Sequence, residues 1–379
     1  MSDSARIIIT GDTHLGGGRV RSLAANNNAE ALFGDFLPLI KKAGLSITNL
    51  ESPILNDGNP ILKTGPNMKS PVETLPVLKT AGFDLVTLAN NHMMDYGEEG
   101  LFSTLKACKE NDIKTVGAGK NLEEAKKPFI CEINGIRLAI VNIAENEFGT
   151  TQNHSPGGHP LNPVQNFYTL QEAKAIADKV IVIVHGGHEH YELPSPRMKE
   201  TYRFFADAGA DAVVGHHTHC YSGYEVYNNV PIFYSTGNFL FDKENQGAKV
   251  TPWNEGIILE LACRKNSVEF EFYPFIQNDG STGLRPMDNE EKSVFQRTLQ
   301  RLNSIIEDDT ELSRHFDDYC KRSNRLYSAY LEPHSVKVLH YLRNRSLFPS
   351  LLSKRKRKLL LNLTRCEAHR DILTQTLES

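Results

Sequence analysis

Val180-Ile181-Val182-Ile183-Val184 runs without a break into His185-Gly186-Gly187-His188-Glu189. Five consecutive β-branched residues are short for a core helix and read as a strand buried on both faces. The metal-capable side chains follow at its carboxyl end, where the strands of an α/β sheet gather their functional groups in one crevice. The same order recurs along the chain. Arg6-Ile7-Ile8-Ile9-Thr10 leads into Gly11-Asp12-Thr13-His14, and Leu45-Ser46-Ile47-Thr48 into Asn49-Leu50-Glu51. Asp84-Leu85-Val86-Thr87-Leu88 precedes Asn90-Asn91-His92, and Asp211-Ala212-Val213-Val214 precedes Gly215-His216-His217-Thr218-His219. A sixth cluster is Thr236-Gly237-Asn238-Phe239. Helical patterns lie between the strands, at roughly 24–43, 71–81, 97–111, 168–178 and 197–208, which is the βαβ signature. The chain is α/β.

Composition sets outer bounds. At 379 residues, 40% hydrophobic and 23% charged, the chain has the balance of an ordinary soluble globular protein. Cys108, Cys131, Cys220, Cys263, Cys320 and Cys366 show no C-x-x-C spacing, which argues against a zinc–cysteine site and a disulfide framework. They read as free thiols in a reducing compartment. Met1-Ser2-Asp3-Ser4-Ala5 has no basic or apolar leader character, and no apolar run nears the ~18 residues of a membrane helix. The expected location is the cytoplasm.

The α/β pattern continues to about residue 240. Strands at 255–263 and 267–275 read as an antiparallel hairpin across Arg264-Lys265-Asn266. Together with 129–132 and 137–142 they are expected to edge a second sheet layer. A Gly/Asn/Asp/Pro-rich stretch at 277–288 suggests a boundary, giving one domain at 1–280 and a basic helical region at 290–379. From residue 290 on, 17 lysines and arginines face 12 acidic residues. Apolar residues there repeat at three- and four-residue spacing, as in Phe295, Leu299, Leu302 and Ile306, so these helices should pack on something. The run Lys354-Arg355-Lys356-Arg357-Lys358 before Leu359-Leu360-Leu361 has two readings. One is a membrane-surface or nucleic-acid patch; the plainer one, which we favour, is a solvated helix face with leucines turned inward.

Two divalent ions ~3.5–4 Å apart need a bridging carboxylate, imidazoles and a neutral oxygen donor. Each type is present: Asp12, His14, Glu51, Asn91, His185, His217 and His219. In an extended loop His217 and His219 would project to the same side, and His216 away from them, into the core or behind the ligands. Glu189 reads as a ligand, a base or a substrate contact, while His188 and His190 read as outer supports. Asn238 either reaches the crevice or caps its turn. The segment 145–163, with His154 and His159, is long for a plain connection and reads as a cover over the site.

The order Asp-x-His, acidic strand end, Asn-His, His and His-x-His resembles the calcineurin-like metallophosphoesterase superfamily. Its usual pattern is D-x-H, G-D-x-x-D, G-N-H-D/E, H and G-H-x-H on a four-layer α/β/β/α sandwich. Asn49-Leu50-Glu51-Ser52-Pro53, Leu88 to His92 with Asp95 and Gly97, His185 to Glu189, Gly215 to His219 and Tyr234 to Phe239 look more closely like the CapA branch. That branch is named for bacterial capsule and poly-γ-glutamate biosynthesis, and the resemblance covers about residues 6–275. It implies two divalent metal ions (Mn²⁺, Fe²⁺ or Zn²⁺). Asp12, His14, Glu51 and His219 would hold one; Glu51, Asn91, His185 and His217 would hold the other. His92 would donate a hydrogen bond to substrate or a proton to the leaving oxygen. Asn49, Asn90, Asp95, His188, Glu189, His216 and Asn238 would support the ligands or touch substrate.

Two departures stand out. Asn49-Leu50-Glu51 replaces the glycine–aspartate bridge, which leaves the bridge open between Asn49 and Glu51, and Asn90 replaces a glycine. The resemblance implies a two-metal phosphoesterase acting on a soluble phosphate ester, in capsule or other polymer biosynthesis. Its alternatives are a component of polymer or glycan assembly acting on an amide, acyl or lipid-linked substrate, and a scaffold without catalysis. The expected partner is a small phosphorylated or polymer-precursor substrate, with a peripheral membrane or envelope-enzyme contact through the basic run. No basic stripe with interleaved aromatics argues for nucleic acid. The sequence implies no particular oligomeric state.

Overall fold

The computed structural model describes residues 4–152, 154–242, 250–280, 283–332, 337–345, 347 and 349–378. Its strands are β1 (Ala5–His14), β2 (Leu45–Leu50), β3 (Leu85–Thr87), β4 (Lys114–Val116), β5 (Ala118–Gly119), β6 (Phe129–Ile133), β7 (Ile136–Ala144) and β8 (Gly157–Gly158). They continue with β9 (Lys179–His185), β10 (Ala212–His216), β11 (Tyr224–Tyr227), β12 (Val230–Phe233), β13 (Asn238–Phe241), β14 (Glu255–Cys263), β15 (Val268–Gln277) and β16 (Leu284–Pro286). The helices that cover them are α1 (Gly18–Ala25), α2 (Ala29–Phe33), α3 (Leu37–Lys42), α4 (Pro76–Ala81), α5 (Gly97–Glu110), α6 (Leu122–Ala125), α7 (Pro163–Ile176), α8 (Pro196–Asp207) and α9 (Asn289–Glu307).

Two sheets stack face to face. The first has the order β16-β15-β14-β1-β2-β3-β4, with β13 also paired to β1; the second runs β11-β12-β10-β9-β7-β6. Ile7, Ile9, Ile47, Leu85 and Leu259 of the first sheet share a core with Leu138, Ile140, Ile181, Ile183 and Val214 of the second. Ile8, Val86 and Ile258 turn the other way, toward Leu32, Phe33, Leu78 and Leu101 on the helices. α7 and α8 lie on the outer face of the second sheet. The result is a four-layer α/β/β/α sandwich. Because residues two apart on a strand share a face, the strands of the first sheet contribute alternately to these two cores. That double burial is why the strands read as unbroken apolar runs.

β1 departs from strict alternation where it matters. Ile9 pairs with Ile47 but Asp12 pairs with Asn49, so β1 spends three residues where β2 spends two. This bulge at Thr10–Gly11 turns Asp12 to the side of Ile7 and Ile9, facing the second sheet. Bulges commonly re-aim a side chain in this way beside a functional site. The bulge presses β1 against its neighbour: a Cβ on Gly11 would lie 1.8 Å from the Gly237 carbonyl oxygen. Gly11→Ala should therefore destabilise the fold by about 1–3 kcal/mol or more, read as a lower urea midpoint. An unchanged midpoint would mean that β1 and β13 are not held this closely.

Three expectations change. The hairpins expected to share a second layer lie in different sheets, since β14 pairs antiparallel with β1 while β6 pairs with β7. The helix expected at 24–43 is broken into three, with positive φ at Asn27 (53°) and Gly34 (47°). Helical φ is negative, so the chain must turn at both residues. Finally, the compact unit runs to Leu312, past the boundary expected at 280–290. α9 carries a capping box between Asp288 and Glu291 and buries Phe295, Leu299, Leu302 and Ile306. The Phe295 ring sits 5.0 Å from Tyr221 and 6.0 Å from Phe272, which ties the helix to the sandwich.

Residues 313–379 form a second unit. Within it Arg343 Nε lies 3.0 Å from Glu332 Oε1. Ser353 caps a helix at Lys354–Arg365 that contains the whole basic run, and Lys354 to Leu359 are exposed along it. Among the described residues, no helix is long and apolar enough to cross a membrane.

Candidate metal centre

The carboxyl ends of β1, β2, β9 and β10 meet at one rim of the space between the sheets. On β2, Ile47 faces the second sheet, so Asn49 and Glu51 follow it onto the same side by alternation. On β9 the same parity carries Ile181, Ile183 and His185, and His185 lies opposite His216 on β10. These strand ends thus aim Asp12, Asn49, Glu51 and His185 at one point.

Two groups of ligand atoms assemble there. Asp12, Glu51 and His219 form one, and Glu51, His185 and His217 the other; all five residues are buried, and within each group the atoms lie within 4.8 Å of one another. Around His185 Nε2, Asn91 Oδ1 stands at 3.0 Å, His217 Nδ1 at 3.1 Å and Glu51 Oε1 at 3.6 Å. Two donors bound at about 2.0–2.2 Å to one ion, at octahedral or tetrahedral angles, lie roughly 3.0–3.5 Å apart, so these spacings suit a shared cation. On the other side, Glu51 Oε1 is 3.7 Å from His219 Nε2, and Asp12 Oδ2 is 3.7 Å from His219 Nδ1.

Glu51 is the residue common to both groups. It is fully buried, and neither carboxylate oxygen accepts a hydrogen bond. A buried carboxylate without partners is costly, so the site calls for a cation. This decides between Asn49 and Glu51. The Asn49 amide nitrogen donates to Asp12 Oδ1 at 2.8 Å and lies 3.2 Å from His185 Nδ1. Thr87 Oγ1 and Asn90 Nδ2 hold its carbonyl oxygen. Asn49 therefore fixes ligands from behind, and Glu51 stands between the two groups.

Burial governs the protonation of the set. It pushes Asp12 up to about 7, against the stabilising bonds from Asn49 and the His217 backbone. It also holds Glu51 well above the ordinary carboxylate value, helped by the neighbouring Asp12 charge. It holds His185 well below its ordinary value, with His217 adding to the effect. Burial thus disfavours charge on both kinds of group: it keeps the His185 imidazole neutral, the form that ligates a metal, while a divalent ion would bring the raised carboxyls back to their ionised form.

His217 and His219 do converge, but not through an extended loop. Their φ angles are 92° and 56°, in the left-handed region that costs a residue with a Cβ about 1–3 kcal/mol. The bond from His217 N–H to Asp12 Oδ2 at 3.0 Å pins this turn. His219 is held by Asn238, whose Oδ1 lies 2.9 Å from its Nδ1 and whose amide donates to the His219 and Trp253 carbonyls. Asn238 thus braces a ligand instead of capping its turn.

His14 does not join either group. Its Nδ1 sits 3.0 Å from Ser52 Oγ, and its ring packs 5.2 Å from Phe241. The Ser52 hydroxyl engages one ring nitrogen, and His14 stands beside the two groups and in neither of them, against the expectation that it is a ligand. His216 is fully buried with neither ring nitrogen bonded, and burial lowers its pKa to about 3. It is a neutral core residue behind the ligands. His188 is half-buried near Tyr191. Glu189 is exposed, and its charge reaches Glu51 only through space.

His92 sits just outside the ligands. Its Nδ1 is 2.7 Å from Asp95 Oδ2, and its backbone N–H donates to Asn90 Oδ1. Lys63, unremarkable in the sequence, brings its ammonium onto Asp95 Oδ1 and to 3.2 Å from His92 Nδ1, with a side chain only 3% exposed. The segment at 145–163 does reach the site. Glu147 Oε1 stands 3.8 Å from His217 Nε2, and a Cβ on Gly149 would lie 2.2 Å from the Asn90 carbonyl oxygen. The segment is not structureless, since β8 pairs with β5; Asn153 lies outside the described residues. His159 is buried within it, 3.0 Å from the Asn166 amide, and supports the segment.

Trp253, the chain's one tryptophan, packs 4.7 Å from the His219 ring. Mn²⁺ titration should therefore change intrinsic fluorescence saturably, in step with elemental analysis. Bound metal with unaltered emission would place the ion away from His219.

Residues 6–243 match the family model described as "Bacterial capsule synthesis protein PGA_cap". The "Capsule biosynthesis protein CapA" of Bacillus anthracis is 34% identical over 251 residues, covering 64% of this chain and 61% of that protein, so the match spans less than two thirds of that relative. The "PGA biosynthesis protein CapA" of Bacillus subtilis (strain 168) is 31% identical over 290 residues, 74% of this chain and 73% of that protein. Among solved structures, a hypothetical protein from Thermus thermophilus has a TM-score of 0.45 at 16% identity, covering 72% of this chain and all of that one. The 5'-nucleotidase from Candida albicans SC5314 has a TM-score of 0.40 at 12% identity, covering 85% and 58%. With its model matching more than half of the chain, and the strand-end residues that it spans gathered at one rim, this chain belongs to the PGA_cap family of bacterial capsule synthesis proteins.

Proposed function

We propose that the chain is a metal-dependent hydrolase in which two divalent cations act on a soluble phosphate ester. The observation that carries this is Glu51, a buried carboxylate without a hydrogen bond that two groups of ligand atoms share. Asp12, Glu51 and His219 would hold one cation; Glu51, Asn91, His185 and His217 the other. Oxygen and imidazole donors without cysteine suit Mn²⁺, Fe²⁺ or Zn²⁺. When bound, such a pair polarises a phosphoryl oxygen and makes water nucleophilic at neutral pH.

The chain's own residues do the rest. Asn49 keeps Asp12 and His185 in place from behind. Asp95 engages His92 Nδ1, which leaves Nε2 as the nitrogen that faces substrate and passes a proton to the leaving oxygen. The segment carrying Glu147 and Gly149 covers one side and excludes water.

A second reading draws on the relatives' names, which speak of capsule and PGA biosynthesis. In it the same centre acts on an amide, acyl or lipid-linked precursor of a polymer. Elemental analysis followed by a screen of phosphomonoesters, phosphodiesters and amides tests both. We expect up to two ions per chain and turnover of a phosphate ester. Less than half an equivalent of any transition metal after reconstitution would overturn both, and turnover of amides alone would favour the second.

The same proposal leaves the basic run outside the chemistry. Neutralising Lys354 to Lys358 should spare small-substrate turnover and weaken, in a salt-dependent way, sedimentation with acidic liposomes. Equal sedimentation would leave the run a solvated helix face.

A further inference from the structure

A cleft of about 520 Å³ opens beside the metal centre, lined by His14, Arg21, Asn56, Asn67, Lys69 and Glu73 among others. Its inner wall adjoins the ligands directly. His14 stands two residues beyond Asp12 on β1, and its Nδ1 bonds Ser52, the residue after Glu51. Its outer wall is the connection after β2, and the two walls touch where a Cβ on Gly16 would meet the Lys69 carbonyl oxygen at 2.0 Å.

That outer wall is fastened to one residue. The Asp95 backbone oxygen accepts from Ile61 N–H and the Asn67 amide, and its carboxylate accepts from Met68 N–H and Lys63. The same carboxylate engages His92. The cleft wall and the candidate proton donor therefore share an anchor.

The lining is rich in donors. Lys69 is spent on the Asn56 carbonyl and the face of Tyr96. Arg21 is exposed, and among the described residues its guanidinium makes no hydrogen bond or ion pair. Asn56 uses its side-chain oxygen on Val72 N–H, which leaves its amide nitrogen to donate. Glu73 is the one acidic residue on the lining.

We propose that this cleft binds a second anionic group of the substrate, a phosphate or carboxylate, with Arg21 as its main partner and His14 as a substrate contact instead of a metal ligand. The inference rests on the metal centre proposed above and deepens it, since the substrate then carries two anionic groups, one at the cations and one in the cleft. Arg21 offers a planar fork of donors that a carboxylate or phosphate accepts in pairs.

Non-hydrolysable phosphonates separate the two ideas. Metal-loaded protein is titrated calorimetrically with methylphosphonate and with α,ω-alkanebisphosphonates of one to six methylenes. At a preferred spacer the bisphosphonate should bind at least about ten-fold more tightly than methylphosphonate, the worth of a charge-assisted pair. Arg21→Ala should abolish that advantage, Arg21→Lys should restore part of it, and methylphosphonate affinity should not move. His14→Ala and His14→Gln should keep the parent's metal content while weakening bisphosphonate binding. ω-Carboxyalkylphosphonates of the same lengths show whether phosphate or carboxylate is the better second group. No spacer that outbinds methylphosphonate, or metal lost in both His14 variants, would overturn the inference and leave the metal centre standing. A parent that holds no metal would overturn both.

Discussion

Glu51→Gln should empty both halves of the centre at once. Removing one member of a buried charge pair costs about 3–5 kcal/mol, or roughly 10²–10⁴ in an equilibrium constant. Because Glu51 belongs to both groups of ligand atoms, that loss falls on two ions, whereas a change at His217 or at Asp12 falls mainly on one. We expect metal content below half an equivalent per chain, and turnover below detection. Asn49→Ala, which removes only the support behind Asp12 and His185, should cost about 10–100-fold in metal affinity. Full metal content in Glu51→Gln would show that the two sites do not share this residue.

The same substitution has a signature independent of activity. In the metal-free protein, Asp12 is raised to about 7 from 3.8 and Glu51 is raised well above its ordinary value, both chiefly by burial. A carboxyl raised in the folded state favours folding below its unfolded value and loses that contribution as pH climbs through the folded one. Metal-free parent should therefore lose stability from about pH 4 to about pH 7 as Asp12 ionises, with Glu51 adding a loss in the same direction. Metal-free Glu51→Gln should lose less, because its amide cannot ionise. Cation binding needs the ionised carboxylates, so it should release protons near pH 6, seen as a buffer-dependent enthalpy of binding. Equal pH profiles for the two metal-free proteins would contradict the assigned burial of Glu51.

His92→Ala should do the opposite: keep the metal and lose the rate. The ring lies outside both groups of ligand atoms, held by Asp95. Loss of a general acid typically costs about 10²–10⁴ in turnover, with metal content at the parent level. Asp95→Asn should slow turnover less than His92→Ala and also loosen the connection that carries Lys63 and Met68, detectable as faster amide exchange there. Parent-like turnover in His92→Ala on every accepted substrate would remove the residue from the chemistry.

Much of the site was legible because it is local. Asp12, Glu51, Asn91, His185, His217 and His219 each follow a short β-branched run, and a strand end announces itself within about ten residues of sequence. Glu51 over Asn49 was not legible, since both lie on the same face of β2 and only the partners across the gap distinguish them. His14 looked like a ligand because Asp-x-His is a two-residue spacing; its hydroxyl partners, Ser52 and Ser70, come from elsewhere in the chain. Lys63 and Trp253 carried no local signal, as each reaches the site from a connection between elements.

The sequence by itself determined that the chain alternates strand and helix, that the strands are buried on both faces, and that ligand-type side chains cluster at their carboxyl ends. Period and polarity suffice for that, because burial on two faces leaves few polar positions within a strand. Tertiary structure alone decided which strands join each of the two facing sheets, and that a bulge at Thr10–Gly11 turns Asp12 inward. It also decided that His217 and His219 sit at positive φ. Each of these depends on which group lies opposite: the Gly237 carbonyl, just before β13, against Gly11, and the Asp12 carboxylate against the His217 N–H. Such partners are far away in sequence, and hydrogen bonds formed only on folding choose among conformations that the local sequence leaves equal.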